Sequence, residues 1–396
     1  MSDYIPTEMV AQILFHLPPK NVVSMTAVCK AWYALITHPS FVHRYLLHHS
    51  NPDLLLLKYR DPNHPNQPEF IFPLCYDLSP RNPNPNPNPN PPFSNLVSAC
   101  NGLLCFKNTN YQRVICNPVV RRFIRLPEVS YDQPLHPSVV SCGLSDRRIP
   151  SMKDFHALGF DSSNSDYKLI RLAWFSESKY RQNAQIFHWV EVYSVATGVW
   201  RYLPPFLEAS YTDMAMAHWL AFREGEGNDD LGGYFILSFD FHSETFAEIP
   251  LPLTLAQFPH HSRLMSVVEG SPLSVCCRGG LDPNTCDIWE MREYGDPGSW
   301  TLAHTFNLPL MDLDPAEFPI PLLQLRMSGV RIRNTDEAAF LLVFNGVCVY
   351  HLDVGTLTLT QLQIGVAVEP VRWHLPTWYY SESLALLDKQ DGFDIY

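Results

Sequence analysis

Two periods divide the chain. In the first part, Met9, Val10, Ile13, Leu14 and Leu17 fall at i, i+1, i+4, i+5 and i+8, which draws five apolar side chains into one helical stripe. Pro6 and Thr7 open this helix, with Thr7 as the expected N-cap and Glu8 favourably placed in the first turn. Pro18-Pro19 stops it, and Pro19 can begin the next helix, because a proline in the first turn gives up no needed hydrogen bond. A second series, Val28, Trp32, Leu35 and Ile36, predicts a further helix that Thr37-His38-Pro39 ends. The result is a three-helix unit reaching about His48, with an α+β organisation for the chain as a whole. So small a unit exposes more apolar surface than it can bury unaided. Its free surface must meet either a partner or the following domain, and periodicity leaves both open.

Beyond His48 the pattern changes to short runs rich in Val, Ile, Phe, Tyr and Trp, broken by Gly, Pro, Asn and Asp. Strand–turn–strand units recur with an aromatic in the second strand and often a closing proline. Val114–Pro118 joins Phe123–Pro127, Val190–Tyr193 joins Val199–Pro204, and Phe235–Asp240 joins Phe246–Pro250. Two more are Asp287–Met291 with Trp300–Leu302, and Val347–Tyr350 with Leu357–Leu359. Most are about 45–60 residues apart, near the roughly 50 of a kelch-type blade. The segment from Gly159 to Phe175 fills the longer first gap. A row of such hairpins has two raw edges, and closure into a ring protects them. We therefore expect an all-β propeller of six blades over residues 49–396, with a single large sandwich as the alternative. The double glycine of kelch repeats occurs once, at Gly232-Gly233, so these are not standard kelch units. The Asn-Pro run at about 80–92 removes backbone donors and disfavours helix. It is expected as an extended loop interrupting the β domain, since strand-like Leu54–Leu57 and Phe70–Phe72 precede it.

Composition narrows the function. Apolar residues make up 46% of the 396, enough for a sizeable core. The net charge of -12 disfavours phosphate backbones and anionic membranes. Arg121-Arg122 with Arg125 is the nearest approach to a basic patch and is expected on the solvent side of a hairpin. No apolar run reaches the roughly 18–20 residues of a membrane span, and the first residues lack a signal peptide's pattern. A cytoplasmic or nuclear protein is the expectation. The ten cysteines form no C-x-x-C pair, and Cys100 and Cys105 read as small buried hydrophobes.

The helical segment resembles the F-box, a module that binds the Skp-type adaptor of SCF ubiquitin ligases. The residues that carry the resemblance are Ile5–Val10, Ile13–Lys20, Val28–Ile36 and His38–Phe41, with Ile5 where Leu is usual. The remainder resembles the F-box-associated interaction domain of plant F-box proteins, including the S-locus type. It does so through Cys100–Cys105, Cys116–Pro118 to Leu126-Pro127, Leu158–Asp161 with Asp166–Leu169, and Val192–Ser194 to Trp200-Arg201. His218–Ala221, Ser238–Asp240 with Glu244–Phe246, and Ile288–Gly295 with Ser299-Trp300 extend it. The resemblance implies a domain division at about residue 48. It also implies that Ile5, Pro6, Met9, Val10, Ile13, Leu14, Leu17, Pro18, Trp32 and Leu35 serve the adaptor-facing and core surfaces of the F-box. Which of them face the adaptor is left open, with Trp32 and Leu35 best placed to share both roles. Cullin and RING subunits would follow through the adaptor, and the propeller would hold an unidentified target protein.

No sequence pattern demands catalysis, a metal or a cofactor. A Gly-x-Ser-x-Gly elbow, a phosphate-cradling glycine loop and a His-Glu-x-x-His helix are all absent from the sequence. His48-His49 and His260-His261 are adjacent pairs, poorly spaced for a metal. Asp240 and Glu244 flank a turn and read as turn-solvating, while Trp373, Trp378, Tyr379 and Tyr380 read as blade core and ring closure. The function the resemblance implies is a binding module, the substrate receptor of a ligase. Its rivals are an interaction protein that binds the adaptor without promoting degradation, and a propeller enzyme such as a glycosidase or lactonase. Candidate recognition loops are the Asn-Pro run, Tyr131 to Pro150, Pro204 to Asp213, Glu224 to Asp230 and Pro309 to Pro321.

Overall fold

The computed structural model of the chain describes residues 6–49, 54–60, 70–75, 95–108, 112–127, 153–176, 186–203, 210–215, 218–223, 233–256, 265–268, 272–278, 285–307, 327–332, 339–344, 348–353, 355–361, 372–388 and 394–395. Prolines set the helices at its start. These are α1 (Thr7–Phe15), α2 (Pro19–Met25), α3 (Lys30–Ile36) and α4 (Pro39–His48). Pro6, not Thr7, precedes the first turn of α1, and its carbonyl accepts from Met9 and Val10 at 3.0 and 3.1 Å. An extended proline has its carbonyl free for this, so no side-chain cap is needed. Pro19 opens α2 as expected.

The module has four helices, not three. His38-Pro39 ends α3 and also begins α4, because Pro39 occupies a first helical position where its missing N–H costs nothing. His38 caps the new helix, its ring nitrogen accepting from the Ser40 amide at 3.3 Å. Phe41, Val42, Tyr45 and Leu46 of α4 are buried, again at i, i+1, i+4 and i+5.

Among the described residues that follow, the regular elements are antiparallel strands, a short helix α5 (Leu253–Ala256) and a 3-10 turn at Pro297–Ser299. Sheet 1 is built from β1 (Leu54–Arg60), β2 (Phe70–Cys75) and β23 (Arg372–Tyr380), in the order β2-β1-β23. Sheet 2 holds β3 (Asn95–Cys100), β4 (Leu103–Lys107), β5 (Arg113–Asn117) and β6 (Arg122–Arg125), with β24 (Asp394–Ile395) added beyond β6. Sheet 3 holds β7 (Lys153–Asp161), β8 (Asp166–Ser176), β9 (Ile186–Ser194) and β10 (Val199–Leu203). Sheet 4 holds β11 (Ser210–Ala215), β12 (His218–Arg223), β13 (Gly233–Asp240) and β14 (Thr245–Pro250). Sheet 5 holds β15 (Met265–Val268), β16 (Leu273–Arg278), β17 (Thr285–Met291) and β18 (Trp300–Asn307). Sheet 6 holds β19 (Met327–Ile332), β20 (Ala339–Phe344), β21 (Cys348–Asp353) and β22 (Thr358–Gln361).

The five repeats visible in the sequence are the outer hairpins of sheets 2 to 6. Their aromatic and proline have a shared use. Trp200 of β10 donates its indole N–H to the Pro127 carbonyl, and Trp300 of β18 donates to the Pro250 carbonyl, each at 3.0 Å. In both cases the tryptophan reaches the closing proline of the preceding sheet. Neighbouring sheets also share apolar cores. Leu56 and Tyr380 of sheet 1 meet Leu96 and Leu104 of sheet 2, and Leu103 and Ile115 of sheet 2 meet Leu158 and Leu169 of sheet 3. Ile170 and Val192 of sheet 3 meet Trp219 and Leu237 of sheet 4, and Ile236 and Ile249 of sheet 4 meet Val275 and Met291 of sheet 5. One edge strand of each sheet lies beside that of a neighbouring sheet: β3 by β7, β11 by β15, β15 by β19, β19 by β23 and β23 by β3.

Gly159 belongs to one such contact. A Cβ there would sit 2.1 Å from the Phe241 ring, which reaches over from the β13–β14 turn. Tyr380 packs in the core between sheets 1 and 2, as expected. The side chains of Trp373, Trp378 and Tyr379, and all of His260-His261, lie outside the described residues.

Candidate functional site

Helix α1 carries the candidate surface, and packing splits its stripe in two. Val10 and Leu14 are buried, while Met9 and Ile13 are 51% and 53% exposed. Successive residues on a helix are about 100° apart, so the pair at 9 and 13 sits one step round from the pair at 10 and 14. Only the second pair meets the module's core. Pro6 and Pro18 are exposed, and Leu17, Trp32 and Leu35 are half-buried against that core. Ile5 lies outside the described residues. Of the ten predicted positions, Val10 and Leu14 are thus structural, and Met9, Ile13, Pro6 and Pro18 are presented to solvent. Two exposed residues outside that set, Val28 at 58% and Tyr33 at 43%, add apolar surface around the start of α3. Val28 shares the apolar spacing of Trp32 and Leu35, but it precedes α3 and lies outside the helix.

Aromatic rings form the centre of the module. Phe15 stacks on Phe41 with ring centroids 4.9 Å apart, and Arg44 lies 5.0 Å above Phe15. His49 donates from its ring to the Phe15 carbonyl at 2.6 Å, which accounts for one of the paired histidines without a metal. The Tyr45 hydroxyl donates to the Leu17 carbonyl. Burial pushes that phenol above its usual range, and Glu382 adds to the effect. Among the described residues no group of His, Cys, Asp and Glu is arranged to hold a metal.

The helices are seated on one edge of sheets 2 and 3. Leu46 of α4 enters the core that holds Cys100, Leu103 and Tyr167, and the His43 ring is 6.1 Å from Phe160. These residues cluster around the β3–β4 and β7–β8 turns. Between helices and sheets runs a segment at 381–388, which follows β23. The Asn117 amide donates to the Ser383 and Ala385 carbonyls at 3.1 and 2.9 Å, and Arg122 donates to the Leu386 and Leu387 carbonyls at 3.0 and 3.2 Å. Arg122 therefore ties down backbone and is not part of a solvent-facing basic patch; Arg121 and Arg125 are exposed as expected. Lys20 of α2 pairs with Glu382 at 2.6 Å.

At the opposite edge, sheets 2 and 3 are joined by buried charge. Asp154 receives Lys107 at 2.5 Å and Arg113 at 3.3 Å, Arg113 donates to the His156 ring at 2.7 Å, and Arg171 pairs with Glu191 at 2.7 Å. Burial and the adjoining Arg113 guanidinium hold His156 well below its usual value of 6.5, so it stays neutral and accepts. Burial alone would raise the Asp154 carboxyl, but the cations of Lys107 and Arg171 beside His156 outweigh it and hold it below its usual range. Between sheets 3 and 4, Lys168 binds Asp161 at 2.9 Å and Glu244 at 2.8 Å, and Glu244 also meets Arg201. Glu244 thus serves an inter-sheet ion pair. Asp240 does cap its turn, accepting from the His242 amide at 2.7 Å. The thiols of Cys100 and Cys105 are buried and pushed up to about 12, the state of an inert core residue.

Comparison with known families decides what this arrangement is. Residues 2–48 match the F-box-like family, and residues 78–385 match the family described as F-box associated beta propeller domain. The chain belongs to the F-box associated beta propeller domain family. F-box protein CPR1 of Arabidopsis thaliana is 25% identical over 326 residues, covering 77% of this chain and 73% of the relative. F-box protein At4g22390 of the same plant is 22% identical over 363 residues, covering 86% and 83%. Putative F-box/kelch-repeat protein At3g17280, also from Arabidopsis thaliana, is 25% identical over 279 residues, covering 67% and 64%. Among solved structures, a mutant of Aleuria aurantia lectin in complex with alpha-methyl-L-fucoside covers 67% of this chain and 74% of its own, at 12% identity and a TM-score of 0.32. F-box proteins are in general non-catalytic adaptors, and the exposed half of α1 lies within the F-box-like match.

Proposed function

We propose that this chain is the substrate receptor of an SCF-type ubiquitin ligase, with α1 and the start of α3 contacting a Skp-type adaptor and the sheet domain contacting a target protein. One observation carries the reading. Met9 and Ile13 are half exposed one turn apart on an F-box helix, while the neighbouring Val10 and Leu14 are the ones buried in the core. Folding has no use for that exposed pair, and apolar anchors of this kind supply much of the energy of helix-mediated docking. Cullin and RING subunits follow through the adaptor, and the work is done in the cytoplasm or nucleus.

The sheet domain is read as a closed ring of six blades. Its support is the pairing of β1 with β23, the addition of β24 to β6, and the side-by-side contacts of the edge strands. In that ring, each of these edge strands runs toward the helices. From sheet 2 onward, the connections that join one sheet to the next then start and finish on the far rim. Tyr131 to Pro150, Pro204 to Asp213, Glu224 to Asp230 and Pro309 to Pro321 all join strand ends of that rim, whereas the Asn-Pro run follows β2, which ends on the helix side where Cys75 pairs with Leu54. These segments lie outside the described residues, save the first residues of β11. A target held on the far rim would face away from the adaptor, and the receptor would raise its concentration near the ubiquitin-loaded enzyme.

The test is capture of a purified Skp-type adaptor by the full chain, followed by reconstitution with cullin and RING subunits and a ubiquitination assay on co-purifying proteins. Adaptor capture with target modification supports the receptor. Capture without modification of any co-purifying protein would favour the interaction protein that promotes no degradation. A well-folded chain that captures no adaptor would overturn the reading.

A further inference from the structure

We propose that the F-box module is not self-contained: residues 381–388 complete its core, so its helices reach their final packing only when β23 has paired with β1. The bearing on adaptor binding rests on the receptor reading above. Leu384 and Leu387, 1% and 5% exposed, belong to the same cluster as Val10, Leu14 and Phe15, and Val120 from the β5–β6 turn joins them. The two residues between them face the other way, Ala385 and Leu386 packing into the core of sheets 2 and 3. One short segment therefore supplies side chains to two cores at once.

Its backbone is held from the sheet side by Asn117 and Arg122. Asn117 and Ser383 are 266 residues apart in sequence. The close approach of Gly102 fits this seat, where a Cβ would lie 2.7 Å from the Ser381 carbonyl oxygen. The segment starts one residue after Tyr380, whose register partner in β1 is Leu54. That pairing fixes where the segment begins. A module this small buries too little apolar surface to be firmly stable by itself. The arrangement makes a presentable adaptor surface conditional on a completed sheet domain, so a chain with an unclosed sheet 1 would engage the adaptor weakly.

Hydrogen exchange read by mass spectrometry on the full chain tests this, comparing wild type with a Leu384→Ala, Leu387→Ala double variant and with Val120→Ala. The expected result is exchange at least about tenfold faster in α1 and α4, with β8, β9, β12 and β13 unchanged. Adaptor capture should fall in parallel. Wild-type exchange in α1 and α4 of both variants overturns the proposal. If the double variant loses protection in its sheets as well, Val120→Ala decides by the same criterion, because it leaves the 381–388 segment intact. A wild type that shows the expected exchange pattern against the variants but captures no adaptor overturns the receptor reading and upholds the coupling.

Discussion

Trp300 donates its indole N–H to the Pro250 carbonyl at 3.0 Å, and so links the outer strand of sheet 5 to the last residue of sheet 4. The Trp200–Pro127 contact repeats this between sheets 3 and 2. Trp300→Phe keeps most of the ring and deletes the donor. It should cost about 1 kcal/mol, plus the penalty of a half-buried carbonyl left without its partner. Urea denaturation should show a lower midpoint at unchanged slope. Trp200→Phe, at a more exposed site, should cost less.

Gly159→Ala is expected to destabilise by about 1–3 kcal/mol, because its methyl group meets the Phe241 ring with no room to pass. The backbone there needs no glycine for its own sake, so steric relief should work. Combining it with Phe241→Leu should recover part of the loss, a coupling that a double-mutant cycle measures. Strict additivity of the two changes would refute the contact.

The buried charges predict acid sensitivity. His156 is held below its usual 6.5, so on acidification the unfolded chain takes up this proton first. Stability is therefore full above about that value and falls as the pH drops through it. Asp154, also held low, adds a second loss below its usual 3.8, since there too the unfolded state binds the proton earlier. Unfolding free energy measured at pH 7.5 and 5.5 should differ in wild type. His156→Gln keeps an acceptor for Arg113 and should reduce that difference, leaving the part due to His218, which burial also holds low.

Within the same cluster, Arg171→Met should destabilise by about 3–5 kcal/mol, because Glu191 is left buried without its cation. Replacing both partners, as Arg171→Met with Glu191→Leu, should recover most of that. Thermal unfolding of the single and double variants checks it, and a single variant as stable as wild type would remove the pair from the inter-sheet core.

The two halves of α1 predict opposite phenotypes. Ile13→Asp should leave stability within about 0.5 kcal/mol, since the side chain already faces solvent, yet weaken adaptor binding by tenfold or more. Leu14→Asp buries a carboxylate and should unfold the module outright. Circular dichroism and a binding titration on both variants separate them. Undiminished adaptor binding by Ile13→Asp would place the interface elsewhere.

Much of this was legible along the chain. The repeat of aromatic and closing proline marks the outer hairpins, because each hairpin is local and its turn residues announce it. The fourth helix was hidden by Pro39, whose ring disfavours continuing one helix and equally suits starting another. Sheet 1 was legible only in part: Leu54–Leu57 and Phe70–Phe72 read as strands, but their partner β23 lies far away at 372–380.

What the sequence determined by itself were the short-range choices: where helices stop at prolines, which runs alternate as strands, which turns tolerate their backbone. These depend on residues within a few positions of one another. Tertiary structure decided which half of the α1 stripe is buried, why Arg122 is not free surface, and why Leu384 serves the helices while Leu386 serves the sheets. Each of those depends on a neighbour far away in sequence. Periodicity can declare that a face is apolar, but only the packed neighbour settles whether that face is core or left open for a partner.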